Sequence, residues 1–337
     1  MPIRCGGDTR ESIRTSHSAR DANDFDHDVI TDFHAHVFSR PFFEAIAAQS
    51  PQPGTPEEKL ARVSSQVGFE LPEPGAEAHL ARWIESLDAG GVQRMAAFSS
   101  DPAETPTVLE MAARSEGRLV PIAVCNPAAP GAADRLRPLF EEKGLRGVLL
   151  FPAVHHYHLD DEAVQPVLGL LEEHRAVAYV HCGVLVVKLK DLLGLPRPYD
   201  LRYANPLEVI PAANRHPGAT FCVPHFGAGF FRETLIAGAQ CPNVGTDTSS
   251  TNGWVKTQPD HPSLTTVLAR ALDVFGAERV LFGTDSNVFP AGWRQERYEG
   301  WRAIAEELGL SEDERAAIFH RNADALLAAP SQARAEA

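Results

Sequence analysis

Eight short apolar runs, each followed by a segment of helical periodicity, constrain this chain more than any single motif. The runs are Ile30–Phe38, Arg94–Ser99, Leu119–Cys125, Arg146–Phe151, Val177–Cys182, Thr220–His225, Asn243–Thr248 and Val280–Asp285. After the first of them, Glu77–Ala89 sets Leu80, Trp83, Ile84 and Leu87 on one stripe. Thr105–Ser115, Ala132–Glu142, Asp161–His174, Pro206–His216, Phe230–Ala239, Ser263–Phe275 and Arg294–Leu308 follow the same logic. Strands separated by single helices pair in parallel through right-handed crossovers, and eight such units argue for a closed (β/α)8 TIM barrel. An open doubly wound sheet is the other arrangement, but it usually carries a glycine-rich turn after its first strand. Here that place holds His34-Ala35-His36, and Gly227-Ala228-Gly229 lacks the third glycine and the acid that should follow.

Two stretches exceed a minimal barrel. Residues 39–76, rich in Pro and Gly, and residues 184–205, with Pro196, Pro198 and Tyr199, are too long for ordinary βα loops. They are predicted as insertions after strands 1 and 5, and since both follow strands, both belong over the barrel mouth. The polar, mixed-charge residues 1–28 contain no apolar signal-type stretch and are expected to form a flexible N-terminal tail. The barrel is then expected over 29–329, closed by a last helix at Glu312–Ala328, with a short polar tail at 330–337.

Composition narrows the partners. The formal charge of -14 disfavours nucleic acid and anionic membranes, both of which select basic patches. No apolar run approaches the roughly 20 residues of a membrane span. A small-molecule substrate is expected, with a homo-oligomer left open. The five cysteines form no C-x-x-C pair, and three of them lie inside apolar runs, which suits buried thiols in a reducing cytoplasm.

Ligand-type residues collect at strand ends. On a regular strand Asp32, His34 and His36 would face one way, and Thr31, Phe33, Ala35 and Val37 the other. Two imidazoles one residue apart can grip a divalent ion. His181, His225 and Asp285 end three further strands, so strands 1, 5, 6 and 8 all deliver such residues to the C-terminal mouth, where barrel enzymes keep their active sites. Burying so many ionisable groups without a compensating ion would be costly. His155, His156 and His158 after strand 4, with Trp254 and Arg294 after strands 7 and 8, are the candidate substrate-binding residues and suit a planar carboxylated molecule.

Asp32-Phe33-His34-Ala35-His36, Val180-His181-Cys182-Gly183, Pro224-His225-Phe226-Gly227 and Phe282-Gly283-Thr284-Asp285 resemble the metal-site motifs of the amidohydrolase superfamily. The likeness is to its amidohydrolase-related branch, which holds aminocarboxymuconate semialdehyde decarboxylase, resorcylate-type decarboxylases and several lactone hydrolases. Ile318-Phe319-His320-Arg321-Asn322-Ala323 resembles that branch's closing helix. The resemblance implies one divalent ion, zinc or else manganese, held by His34, His36, His181 and Asp285. His225 would then orient, polarise or deprotonate a water or substrate beside it. Binuclear relatives use a carboxylated lysine on strand 4, but this chain's strand 4 reads Arg146-Gly147-Val148-Leu149-Leu150-Phe151 and Lys143 precedes it, so a single ion is expected.

Such an ion acidifies water, and Asp285 can carry the proton. The expected activity is therefore metal-dependent hydrolysis of a small cyclic or carboxylated lactone, ester or amide, with His225 and Asp285 catalytic. The alternative is non-oxidative decarboxylation of an aromatic or muconate-type acid. Asp32 is expected deeper, bonded to neighbouring strands rather than to the ion.

Overall fold

The computed structural model describes residues 29–328, so the two expected tails lie outside the described residues. Eight parallel strands run in sequence order: β1 (Ile30–His36), β2 (Val92–Phe98), β3 (Leu119–Cys125), β4 (Gly147–Leu150), β5 (Val177–Val180), β6 (Thr220–Val223), β7 (Val244–Asp247) and β8 (Val280–Leu281). Beyond the end of β8 the sheet closes on β1: His34 O accepts from Asp285 N at 2.7 Å, and His36 N donates to Ser286 O at 2.7 Å. The fold is a (β/α)8 barrel.

Two apolar layers hold it. Phe33, Phe98, Ile122, Leu149, Tyr179, Cys222 and Leu281 fill the barrel interior, joined by Ala323 and Leu327 of the closing helix. A larger shell outside them, with Trp83, Met111, Leu171, Phe231, Phe275 and Trp301, seats the surrounding helices on the strands. Among the described residues no helix is long and apolar enough to cross a membrane. Cys125, Cys182, Cys222 and Cys241 are all buried free thiols, the first three within the apolar runs.

The first strand departs from the expected alternation. Between Asp32 and Ala35 the register slips: Asp32 pairs with Met95 and Ala35 with Ala97, so β1 carries an extra residue. Phe33 and His34 consequently both turn inward, their rings 4.8 and 6.2 Å from that of Tyr179. Asp32 lies on the other side, against Trp293, instead of sharing a face with His34 and His36. The bulge re-aims His34 at the barrel mouth, a use that strand bulges commonly serve beside active sites.

Both long stretches contain helices of their own. Residues 39–76 hold Arg40–Gln49 and Pro56–Val67, and residues 184–205 hold the short helix Lys188–Leu192. Pro56–Val67 starts on a capping box, with Thr55 and Glu58 each satisfying the other's backbone N–H, and ends at Gly68 in the left-handed region. Phe42, Phe43, Ile46, Leu60 and Val63 from the first stretch bury Leu193 from the second in a small separate core. Ser50 Oγ and Gln52 Nε2 donate to the carbonyls of Leu193 and Leu192 at 2.6 and 2.7 Å. The two stretches thus pack together as one unit.

Candidate active site

The mouth is built around His34. Its Nδ1 lies 2.8 Å from Asp247 Oδ2, at the end of β7. That contact turns Nε2 the other way, where it is buried without a hydrogen-bond partner and stands 3.9 Å from Asp285 Oδ1. His36 is arranged in parallel: Nδ1 meets Ser100 Oγ at 2.6 Å, and Nε2 points at the same Asp285 oxygen from 3.4 Å. Donor atoms of His34, His36 and Asp285 thus lie within 4.8 Å of one another. His181, with a second buried and unpartnered nitrogen (Nδ1), faces His225 at a ring separation of 5.3 Å.

A second close trio, His34, His225 and Asp247, has the wrong character for an ion. Its atoms are already spent on one another and on Ser249, whose Oγ lies 2.7 Å from His225 Nδ1 and also bonds Asp247. In the His34–His36–Asp285 set the buried Nε2 of His34 has no hydrogen-bond partner within the protein, a donor atom of the kind a metal ion satisfies. The donor set, two or three imidazoles with one carboxylate, fits a divalent ion such as zinc.

Burial acts differently on the four histidines of the mouth. Burial, with the charge of neighbouring His34, pushes His181 down to about 4 and holds His36 and His225 well below the usual imidazole range. They are therefore neutral and able to ligate. Burial opposes charge on His34 too, but the Asp247 carboxylate beside it wins and raises it. Burial alone would raise Asp247; the charge and hydrogen bond of His34 hold it well below the usual carboxylate range. Burial raises Asp285 to about 6 against the pull of His34 and Arg297.

Backbone geometry shows how tightly the tips are drawn in. His225, Phe226 and Asp285 have φ of 58°, 51° and 55°, a left-handed region that non-glycine residues enter at a cost. A Cβ on Gly283 would stand 2.8 Å from His34 Cβ and 3.2 Å from Ser249 Cβ, so only glycine lets these two side chains meet beside β8. Asp32 braces the same corner: its carboxylate accepts from His34 N at 2.9 Å, Thr284 N at 3.1 Å and Trp293 Nε1 at 2.8 Å.

A sequence model of the amidohydrolase family matches residues 31–328. The chain belongs to the amidohydrolase family. No curated protein matches it significantly in sequence. Solved structures share its fold. One is an amidohydrolase from Burkholderia multivorans with bound zinc, at 21% identity and TM-score 0.58, covering 90% of this chain and 100% of that one. Another is 5-carboxyvanillate decarboxylase from Sphingomonas paucimobilis, at 13% and 0.59, also covering 90% and 100%. A third, from Pseudomonas putida, is assigned as a 2-pyrone-4,6-dicarboxylic acid hydrolase and matches at 18% and 0.58, covering 89% and 98%.

Of the candidate substrate residues in this amidohydrolase, the histidines after β4 divide. His155 has a buried Nδ1 without a partner. His156 is exposed and its Nε2 meets Pro198 O at 2.6 Å, while His158 pairs with Glu208 at 3.0 Å. Trp254 is buried against Phe226 and Phe231 in the helix-facing shell, so the structure gives it a packing place. Arg294 keeps a buried, unpartnered Nε. Sequence reasoning missed Asp247, Ser249, Ser100, Glu104 and Arg297. Asp247 was within sight, since Val244-Gly245-Thr246-Asp247 ends an apolar strand on an acid just as β8 leads to Asp285.

Proposed function

We propose that this amidohydrolase is a mononuclear metal-dependent hydrolase of a small, carboxylated lactone, ester or amide. The observation that carries the reading is the convergence of His34 Nε2, His36 Nε2 and the Asp285 carboxylate, two imidazoles and one acid with their lone pairs aimed at one place. His181 completes the set that would hold the ion. When bound, a divalent cation polarises a carbonyl and acidifies water.

The chain's own residues do the rest. As the water oxygen bonds to the carbonyl carbon, Asp285 takes up the water's proton; as the carbon to leaving-group bond breaks, it returns that proton to the departing oxygen or nitrogen. His34 is held in place by Asp247 and His36 by Ser100 throughout. The likeness in fold to a protein assigned as a pyrone dicarboxylic acid hydrolase supports this reaction class, and the likeness to a decarboxylase names its rival.

A panel of lactones, esters, amides and aromatic or muconate-type acids tests it, with acid production and carbon dioxide release followed in parallel. Acid released from a lactone, ester or amide, lost on chelation and restored by zinc or manganese, is expected. Carbon dioxide released from a carboxylic acid, with no turnover of any ester, lactone or amide, would overturn it.

A further inference from the structure

We infer that Ser249 fixes the tautomer of His225, leaving the Nε2 lone pair free and making His225 a proton acceptor in the resting enzyme. Ser249 is fully buried just beyond β7. Its hydroxyl has three neighbours: Asp247 Oδ1, His225 Nδ1 at 2.7 Å and His34 Nδ1 at 3.2 Å. A hydroxyl has a single proton to give. Asp247 claims it, because this carboxylate is an acceptor on every side: Oδ1 takes His225 N–H at 2.9 Å and Ser249 N–H at 3.1 Å, and Oδ2 lies 2.8 Å from His34 Nδ1.

With its proton committed to Asp247, Ser249 Oγ can only accept from the imidazoles. At 2.7 Å the stronger of the two contacts is with His225, whose Nδ1 must therefore carry hydrogen. A neutral imidazole protonated at Nδ1 has its lone pair at Nε2. The same chain of reasoning gives His34 an Nδ1–H toward Asp247, so one buried acid sets both rings, directly in one case and through a serine in the other.

The consequence separates the roles open to His225. It can receive a hydrogen bond or a proton from water or a substrate hydroxyl at Nε2, and it cannot donate from Nε2 to an oxyanion before it has done so. Ser249 is thus a positioning residue. Its catalytic consequence rests on the hydrolytic reading above, whereas the tautomer assignment does not.

Long-range proton–nitrogen correlation spectra of the metal-free, 15N-histidine-labelled protein read the tautomer directly, with His225 assigned by the signals missing in His225→Gln. A protonated Nδ1 and bare Nε2 on His225 are expected in the wild type, and a shift toward the Nε2–H form in Ser249→Ala. The Ser249→Ala enzyme should keep its metal content and lose at least tenfold in kcat, with a smaller change in KM. A wild-type spectrum showing hydrogen on Nε2 of His225 would overturn the assignment whatever the substrate proves to be. If the spectra come out as expected but no ester, lactone or amide is turned over, the hydrolytic reading alone has failed.

Discussion

Asp247 Oδ2 lies 2.8 Å from His34 Nδ1, and this contact, both partners buried, decides which nitrogen of His34 faces the mouth. A carboxylate behind a ligating imidazole fixes its tautomer and raises its basicity, and losing such a partner typically weakens metal affinity by about 10- to 100-fold.

Asp247→Asn should show that loss. The amide keeps the shape but puts an N–H donor where one carboxylate oxygen accepted, facing either His34 Nδ1 or the backbone N–H groups of His225 and Ser249. Titration of zinc into the metal-free variant should give affinity down by at least about tenfold. Wild-type affinity would mean that His34 is not a ligand through Nε2.

Metal content itself is the next test. The purified chain should carry about one divalent ion, and His34→Ala should carry little, because the change removes one of the three donors gathered there and leaves only His36 Nε2 beside Asp285 Oδ1. Elemental analysis decides it; two ions per chain would refute the mononuclear assignment, and full content in the variant would remove His34 from the ligands.

His225→Asn should separate binding from chemistry. His225 bonds within the Asp247–Ser249 network and is absent from the His34–His36–Asp285 trio. The variant should hold its metal yet lose on the order of a hundredfold in kcat, the usual worth of a positioned acid–base group. Metal loss equal to that of His181→Ala would place His225 among the ligands instead.

Much of this was legible in the chain. The apolar runs lead to His181, His225 and Asp285 at their ends and carry His34 and His36 within the first, and those five lie together at one mouth. The bulge at Phe33-His34 was not legible, because alternation assumes an even register and the extra residue is specified by how β1 meets its neighbours β2 and β8. Asp247 and Ser249 escaped for a different reason. They act through His34 and His225, which only the packed structure brings beside them. The helix Pro56–Val67 could have been read: Thr55-Pro56-Glu57-Glu58 is a capping box with proline at the first helical position.

Glu104 supplies the last prediction. It is fully buried at the start of the helix Thr105–Arg114, with Oε1 accepting from Ser39 N at 2.5 Å and Oε2 from Ser100 N at 2.8 Å. It thereby ties the exits of β1 and β2 together, and holds the serine that contacts His36. Burial pushes its carboxyl up to about 7, against the lowering effect of those donors. The sign follows: between the ordinary glutamate range near 4.5 and about 7, the unfolded chain has released a proton that the folded chain keeps. Stability therefore falls as pH rises through that window, by about 3 kcal/mol in all, and the loss persists above it. Glu104→Gln cannot titrate, but it sets an amide N–H against a backbone donor, at a cost of about 1–3 kcal/mol. The wild type should be the more stable of the two near pH 5, and its advantage should shrink or reverse by pH 8. Denaturant unfolding of both proteins at matched metal content reads the difference, in which the shared titration of the site histidines cancels. A gap that stays constant from pH 5 to 8 would show that Glu104 ionises normally inside the fold.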